Sequence, residues 1–181
     1  MKLNIEMMDI QEIKGLIRNV PDFPLPGIQF KDLTTVFKDA SALKGLSEHL
    51  YDQFKDKGIT KVVGIESRGF IMGPILATKI GAGFVTLRKP GKLPADTFKE
   101  SYDKEYGTDT IEIHQDAITE DDVVLIHDDL LATGGTMIAA QKLVERFNPK
   151  KIIISCIVEL EFLEARKLMD EKTEVTTLIK Y

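Results

Sequence analysis

Apolar positions along the chain fall into two alternating kinds. Short, near-continuous apolar runs occur at KVVGIE (61–66), GFVTLR (83–88), VVLIHD (123–128), KIIISCIV (151–158) and Val175 to Ile179. Runs of this length, rich in Val and Ile, suit strands covered on both faces. Elsewhere apolar residues recur three, four or seven apart. That spacing predicts helices over about 6–19 (Ile10, Ile13, Ile17), from a cap at Ser41 through Leu43, Leu46, Leu50 and Phe54 to Gly58, through Ile71, Ile75 and Ile80, from Thr136 to about Phe147, and near 161–169. Strands alternating with helices predict an α/β fold: a small doubly wound, mainly parallel sheet in a single domain, 1–181.

Two stretches break the alternation. PDFPLPGIQFKDLT (21–34) carries three prolines and a glycine, which forbid a continuous helix and leave an ordered loop or flap. Residues 89–122 hold Gly91, Pro94 and the polar DTFKESYDKEYG before the alternating TDTIEI. The alternation predicts an antiparallel strand, and so long an excursion reads as a hood or lid rather than a connection.

Composition narrows the class. The 181 residues are 43% hydrophobic and 29% charged with a formal charge of −5, which excludes a disordered or collagen-like chain. Net acidity argues against a general nucleic-acid binder, so any polyanionic ligand must meet a local positive cluster. The single cysteine, Cys156, stands in an apolar run and reads as a buried small hydrophobe. Glu6 and Asp9 interrupt the first apolar residues, and no run approaches a membrane span. A cytoplasmic protein with no membrane and no nucleic-acid partner is expected.

The richest chemistry lies in VVLIHDDLLATGGTM (123–137). Two acids end a buried strand, and a small-residue loop opens a helix. Ligands of open α/β sheets bind outside the carboxyl ends of strands, and free N–H groups at a helix start attract anions. Gly134 and Gly135 admit a phosphate closely, while Thr133 and Thr136 add hydroxyl donors. Asp128 and Asp129 would repel that phosphate. They suit ribose hydroxyls, a hydrated Mg²⁺ or a developing positive charge instead. The plain alternative is a tight turn that the two acids cap.

As a whole, this pattern of apolar strand, paired acids, small loop and helix resembles the motif of the type I phosphoribosyltransferases, which bind phosphoribosyl pyrophosphate (PRPP). FPLPGIQFKDLT, GIESRGFIMG, RKPGKLP and SYDKEYGTDTIEI resemble, in order, segments of the family's adenine-using members. The resemblance implies the type I fold with a small hood and a mobile lid, and a reaction of adenine with PRPP that gives AMP and pyrophosphate. It also implies Mg²⁺, held through PRPP and by way of water to Asp128 and Asp129, and a homodimer. Residues 1–34 would form the N-terminal helix and base-binding hood segment, and about 89–113 the lid and antiparallel excursion.

Residue by residue, the resemblance gives PRPP to Glu66, Ser67, Arg68 and Gly69, with a cis Glu66–Ser67 peptide, to Arg88, Lys89 and Lys92, to Asp128 and Asp129 at the ribose, and to Ala132, Thr133, Gly134, Gly135 and Thr136 at the 5′-phosphate. Chemistry agrees at Arg68, whose planar donor fork suits pyrophosphate. The resemblance matches Glu105 and Tyr106 to the mobile catalytic loop. Glu105 is the expected general base for the purine ring proton, Tyr106 would pack on the substrates, and Arg68 completes the catalytic set. Phe30 would stack on adenine while backbone groups of Gln29 and Lys31 read its edge. His127, Pro90, Asp103 and Lys31 depart from the family pattern; Pro90 removes one basic contact and Asp103 weakens closure. Two other functions fit less well. A PRPP-binding regulator on the same fold would need a nucleic-acid surface, and a phosphoribosyltransferase for another base would need a different donor toward O6.

Overall fold

The computed structural model describes residues 7–23, 25–104 and 107–181, with the backbone alone at Lys104. The chain divides into two compact units, 1–53 and 54–181.

In the first unit, α1 (Ile10–Leu16) starts at a capping box in which Asp9 Oδ1 accepts from Gln11 N and Glu12 N, both at 2.8 Å. The helix is shorter than the expected 6–19, because the cap fixes its start and Ile17 turns extended after it. The proline-rich segment makes a hairpin, with β1 (Arg18–Pro21) antiparallel to β2 (Gln29–Asp32). Arg18 pairs with Asp32 across it. A short α2 (Thr34–Phe37) follows. The next helix, α3 (Ala40–Phe54), begins one residue before the expected cap. Asp39 caps it instead, accepting from Ser41 N and Ala42 N at 2.9 Å each.

The second unit is built on β3 (Lys61–Ile65), α4 (Gly69–Ile80), β4 (Gly83–Leu87), the antiparallel hairpin β5 (Thr97–Lys104) and β6 (Gly107–His114), then β7 (Val123–Leu131), α5 (Gly135–Glu145), β8 (Lys151–Glu159) and β9 (Glu174–Lys180). Five strands pair in the order β4-β3-β7-β8-β9, each pair parallel. This is the expected α/β sheet. Its core joins Val63, Ile65, Leu87, Val124, Ile126, Ile154 and Cys156 of the strands to Met137, Ala140, Leu143 and Val144 of α5. Cys156 is fully buried, and burial pushes its thiol well above the ordinary value.

Two helical expectations change. Helix α4 buries Met72, Gly73, Leu76 and Ala77 rather than the isoleucines; because the helix is apolar around most of its girth, periodicity cannot choose its inner face. The helix expected near 161–169 is two 3₁₀ turns, 161–163 and 165–168, divided by Glu164 at φ +54°. Among the described residues no helix is long and apolar enough to cross a membrane.

Candidate active site

The carboxyl ends of β3 and β7 lie side by side, since Gly64 stands opposite His127 in the parallel register. Each strand runs into a loop that opens a helix, α4 after β3 and α5 after β7. Gly69 permits this closeness. A Cβ there would lie 2.6 Å from the His127 carbonyl oxygen and 3.4 Å from Asp128 Oδ1. The Glu66–Ser67 peptide is cis, as the family resemblance implied.

The loop after β7 is a cradle. Gly134 adopts φ +90° and no side chain caps α5, so its first N–H groups are directed at an incoming anion. Ala132, Thr133, Gly134, Gly135 and Thr136 line a cavity of about 190 Å³ that reaches Arg68 and Asp128. A second cavity of about 310 Å³ is lined by Glu66, Ser67, Arg68, Lys89, Tyr102, Asp128 and Thr136, among others. Arg68, Asp128 and Thr136 border both.

The acids are treated unequally. Asp129 is 1% exposed, and Arg68 Nε sits 3.1 Å from its Oδ2 without hydrogen-bond alignment, so that neither Asp129 oxygen has a hydrogen-bond partner among the described residues. Asp128 Oδ1 accepts from Asp129 N at 2.8 Å. Burial, then the Asp129 charge, pushes Asp128 up to about 8; burial raises Asp129 as well. Two adjacent carboxylates short of donors can accept hydrogen bonds from vicinal hydroxyls. They also fit the second coordination sphere of a divalent cation. Among the described residues no three metal-binding side chains converge, so a cation here would take most of its ligands from a bound phosphate and water.

Glu66 is fully engaged. Its Oε1 and Oε2 accept from Arg88 Nη2 and Nε at 3.2 Å each, and Oε2 also accepts from Lys89 N at 3.0 Å. Arg88 holds it below the ordinary carboxylate value. Of the three expected basic residues, Lys89 reaches the larger cavity. Arg88 is bound to Glu66 and to the Lys92 carbonyl, and Lys92 is exposed, outside the residues lining the two cavities.

His127 is fully buried, with Nδ1 3.3 Å from Ser155 Oγ and Nε2 without a hydrogen-bond partner among the described residues. Burial pulls it down to about 4, so it is neutral at pH 7 and belongs to the sheet. Asp103 is exposed and accepts from Thr108 Oγ1 across the hairpin. Glu105 and Tyr106 lie outside the described residues. Sequence reasoning missed Tyr102 and Asp109. The Tyr102 ring edge would stand 3.4 Å from a Cβ on Gly135, and its hydroxyl accepts from Thr136 Oγ1 at 3.0 Å. Alternation in the sequence points to a strand only at TDTIEI and leaves the stretch around Tyr102 as polar lid, whereas that stretch forms β5 and covers another loop.

In the first unit, Asn19 holds the side chains of Gln29 and Lys31 across the hairpin, at 2.6 and 3.1 Å. Phe30 meets Phe23 edge-on, with ring centroids 5.2 Å apart. Side chains alternate along β2, so Phe30 presents its ring on the face opposite the two polar side chains.

The model of the phosphoribosyl transferase domain matches residues 33–179. A Bacteroides fragilis protein named adenine phosphoribosyltransferase is 60% identical over 169 residues, 93% of this chain and 95% of that one. The adenine phosphoribosyltransferase structure of Rhodothermus marinus is 50% identical over 95% of this chain and 98% of its own, with a TM-score of 0.89. That of Giardia lamblia, determined with 9-deazaadenine, is 44% identical over 97% and 99%, with a TM-score of 0.92.

Proposed function

The chain belongs to the phosphoribosyltransferase family, and from that premise we infer that it transfers the 5-phosphoribosyl group of PRPP to adenine, giving AMP and pyrophosphate in purine salvage. The observation that carries the reading is Asp129, whose two buried oxygens have no hydrogen-bond partner among the described residues, next to Asp128 and the uncapped start of α5. A buried acid pair next to an anion cradle is costly unless the ligand brings both a phosphate and hydroxyl donors. A phosphoribosyl group brings both.

In this reading the 5′-phosphate seats on N–H groups and hydroxyls of Ala132 to Thr136, and the ribose hydroxyls donate to Asp128 and Asp129. Ser67, Arg68, Gly69, Lys89 and Lys92 receive the pyrophosphate, with Glu66 holding Arg88 and the Lys89 backbone in place. Mg²⁺, bound with PRPP and linked through water to Asp128 and Asp129, would neutralise part of the pyrophosphate charge. The C1–oxygen bond breaks as a purine ring nitrogen attacks, and positive character develops on the ribose. Arg68 and Lys89 stabilise the departing pyrophosphate oxygens. The purine ring proton passes to the Glu105 carboxylate, and Tyr106 closes over the substrates to exclude water.

Adenine stacks on Phe30 while backbone groups of Gln29 and Lys31 read its edge. Support comes from Asn19, which occupies both polar side chains and leaves recognition to the main chain. Replacement of a family arginine by Lys31 then matters little. The enzyme works as a homodimer in the cytoplasm.

Pyrophosphate release from PRPP and Mg²⁺ with adenine, guanine, hypoxanthine, xanthine and orotate supplied separately tests the reading. Release is expected with adenine alone. Release with another base overturns the base assignment, and PRPP binding without release from any base makes the chain a PRPP-binding regulator.

A further inference from the structure

A polar chain on the β5–β6 hairpin joins the two anion-facing loops. Thr136 Oγ1 donates to the Tyr102 hydroxyl at 3.0 Å, which donates in turn to Asp109 Oδ2 at 3.3 Å. The same carboxylate oxygen forms an ion pair with Lys89 Nζ. Asp109 Oδ1 accepts from Thr110 N at 2.9 Å, which fixes the carboxylate at both ends. Its side chain is 20% exposed and that of Lys89 39%, so the pair stands at the rim of the larger cavity, which Lys89, Tyr102 and Thr136 line.

We propose that Asp109 is an internal competitor for the pyrophosphate group, holding the Lys89 ammonium with a tethered carboxylate that an incoming pyrophosphate must share or displace. The inference rests on the reading that Lys89 meets pyrophosphate. An ammonium already paired with a carboxylate presents almost no net charge, and a polyphosphate beside that carboxylate meets a like charge at short range. Lysine suits such an exchange because it is a point charge on a flexible stem, whereas an arginine fork is committed to one planar partner. Arg88 shows that second behaviour on Glu66. Competition weakens the hold on pyrophosphate, the leaving group and then the product, and hastens its release.

The opposing role is a prop. If Asp109 only aims Lys89 at the ligand, removing its charge weakens pyrophosphate binding; if it competes, removal strengthens it. Calorimetric titration of the full chain with inorganic pyrophosphate and Mg²⁺ separates these by sign. Asp109→Asn is expected to bind pyrophosphate about fivefold tighter, from the loss of one partly screened like charge, and to lower the KM for PRPP by a similar factor with that for adenine unchanged. Asp109→Ser carries the same expectation if the Asn variant does not fold. Tyr102→Phe keeps the charge and the ring, and should change pyrophosphate affinity less than about twofold. A Tyr102→Phe effect as large as that of Asp109→Asn would assign the change to hairpin packing and overturn the proposal. Weaker or unchanged binding by the Asp109 variants overturns it too. Lys89→Gln, expected to weaken pyrophosphate about tenfold, tests the underlying reading: no change there removes Lys89 from the site.

Discussion

Glu66 and the Asp128–Asp129 pair stand at the ends of neighbouring parallel strands, yet they are in opposite electrostatic condition. Three donors converge on Glu66 and hold it ionised. Both buried oxygens of Asp129 lack hydrogen bonds among the described residues, and burial pushes Asp128 up to about 8. The difference separates an acid held by its neighbours from a pair left with unmet hydrogen-bonding capacity. Glu66 is spent on orienting Arg88 and the backbone of Lys89; Asp129, with Arg68 beside it, has no hydrogen-bond donor among the described residues.

The contrast breaks most sharply at Asp128. Asp128→Asn should lower kcat/KM for PRPP about 100-fold, since charge-assisted contacts to ribose weaken, while raising unfolding stability at pH 8 by about 1–3 kcal/mol through relief of a buried like-charge pair. Steady-state kinetics and urea unfolding read the two together, and a parallel fall in both would merge the aspartates with Glu66 as structural acids. Glu66→Gln should raise the KM for PRPP about tenfold and cost about 1 kcal/mol of stability, because the Arg88 pair is charge-assisted.

The pH profile sharpens the same difference. Asp128 has a folded value above its unfolded one, so its contribution is fully present below about 4 and is lost as pH rises to about 8. Glu66 has a lowered folded value, so its contribution is present above the ordinary glutamate value and lost as pH falls below it. Melting temperature should therefore decline from pH 5 to pH 8 in the wild type and flatten in Asp128→Asn. Smaller again is His127→Leu. The buried neutral ring makes one long contact to Ser155, so turnover should stay within about twofold and stability within about 1 kcal/mol.

Much of this was legible in the order of residues. Apolar runs located the five sheet strands, because strands buried on both faces carry the signal in composition alone. The paired acids and small loop located the turn at Gly134 that opens the uncapped α5. Other features depend on who the neighbours are. Asp39 rather than Ser41 caps α3, a choice between two nearby capping residues that the local pattern leaves even. Helix α4 is apolar nearly all round, so only packing decides that Met72 and Leu76 face inward. Tyr102 and Asp109 gain their meaning from a hairpin folded over α5, a contact between segments more than thirty residues apart in sequence. Glu66 drew attention as a ligand-binding acid, but its saturation by Arg88 and Lys89 is a tertiary fact.

The central claim, that ribose hydroxyls supply hydrogen-bond donors to Asp128 and Asp129, is tested most directly by calorimetric binding of PRPP with Mg²⁺ at pH 7 in buffers of differing ionisation enthalpy. The wild type should release up to about one proton more than Asp128→Asn on binding, because hydroxyl donors and the cation favour the ionised carboxylates. Equal proton release by the two proteins would contradict the account and return Asp128 and Asp129 to the role of a capped turn.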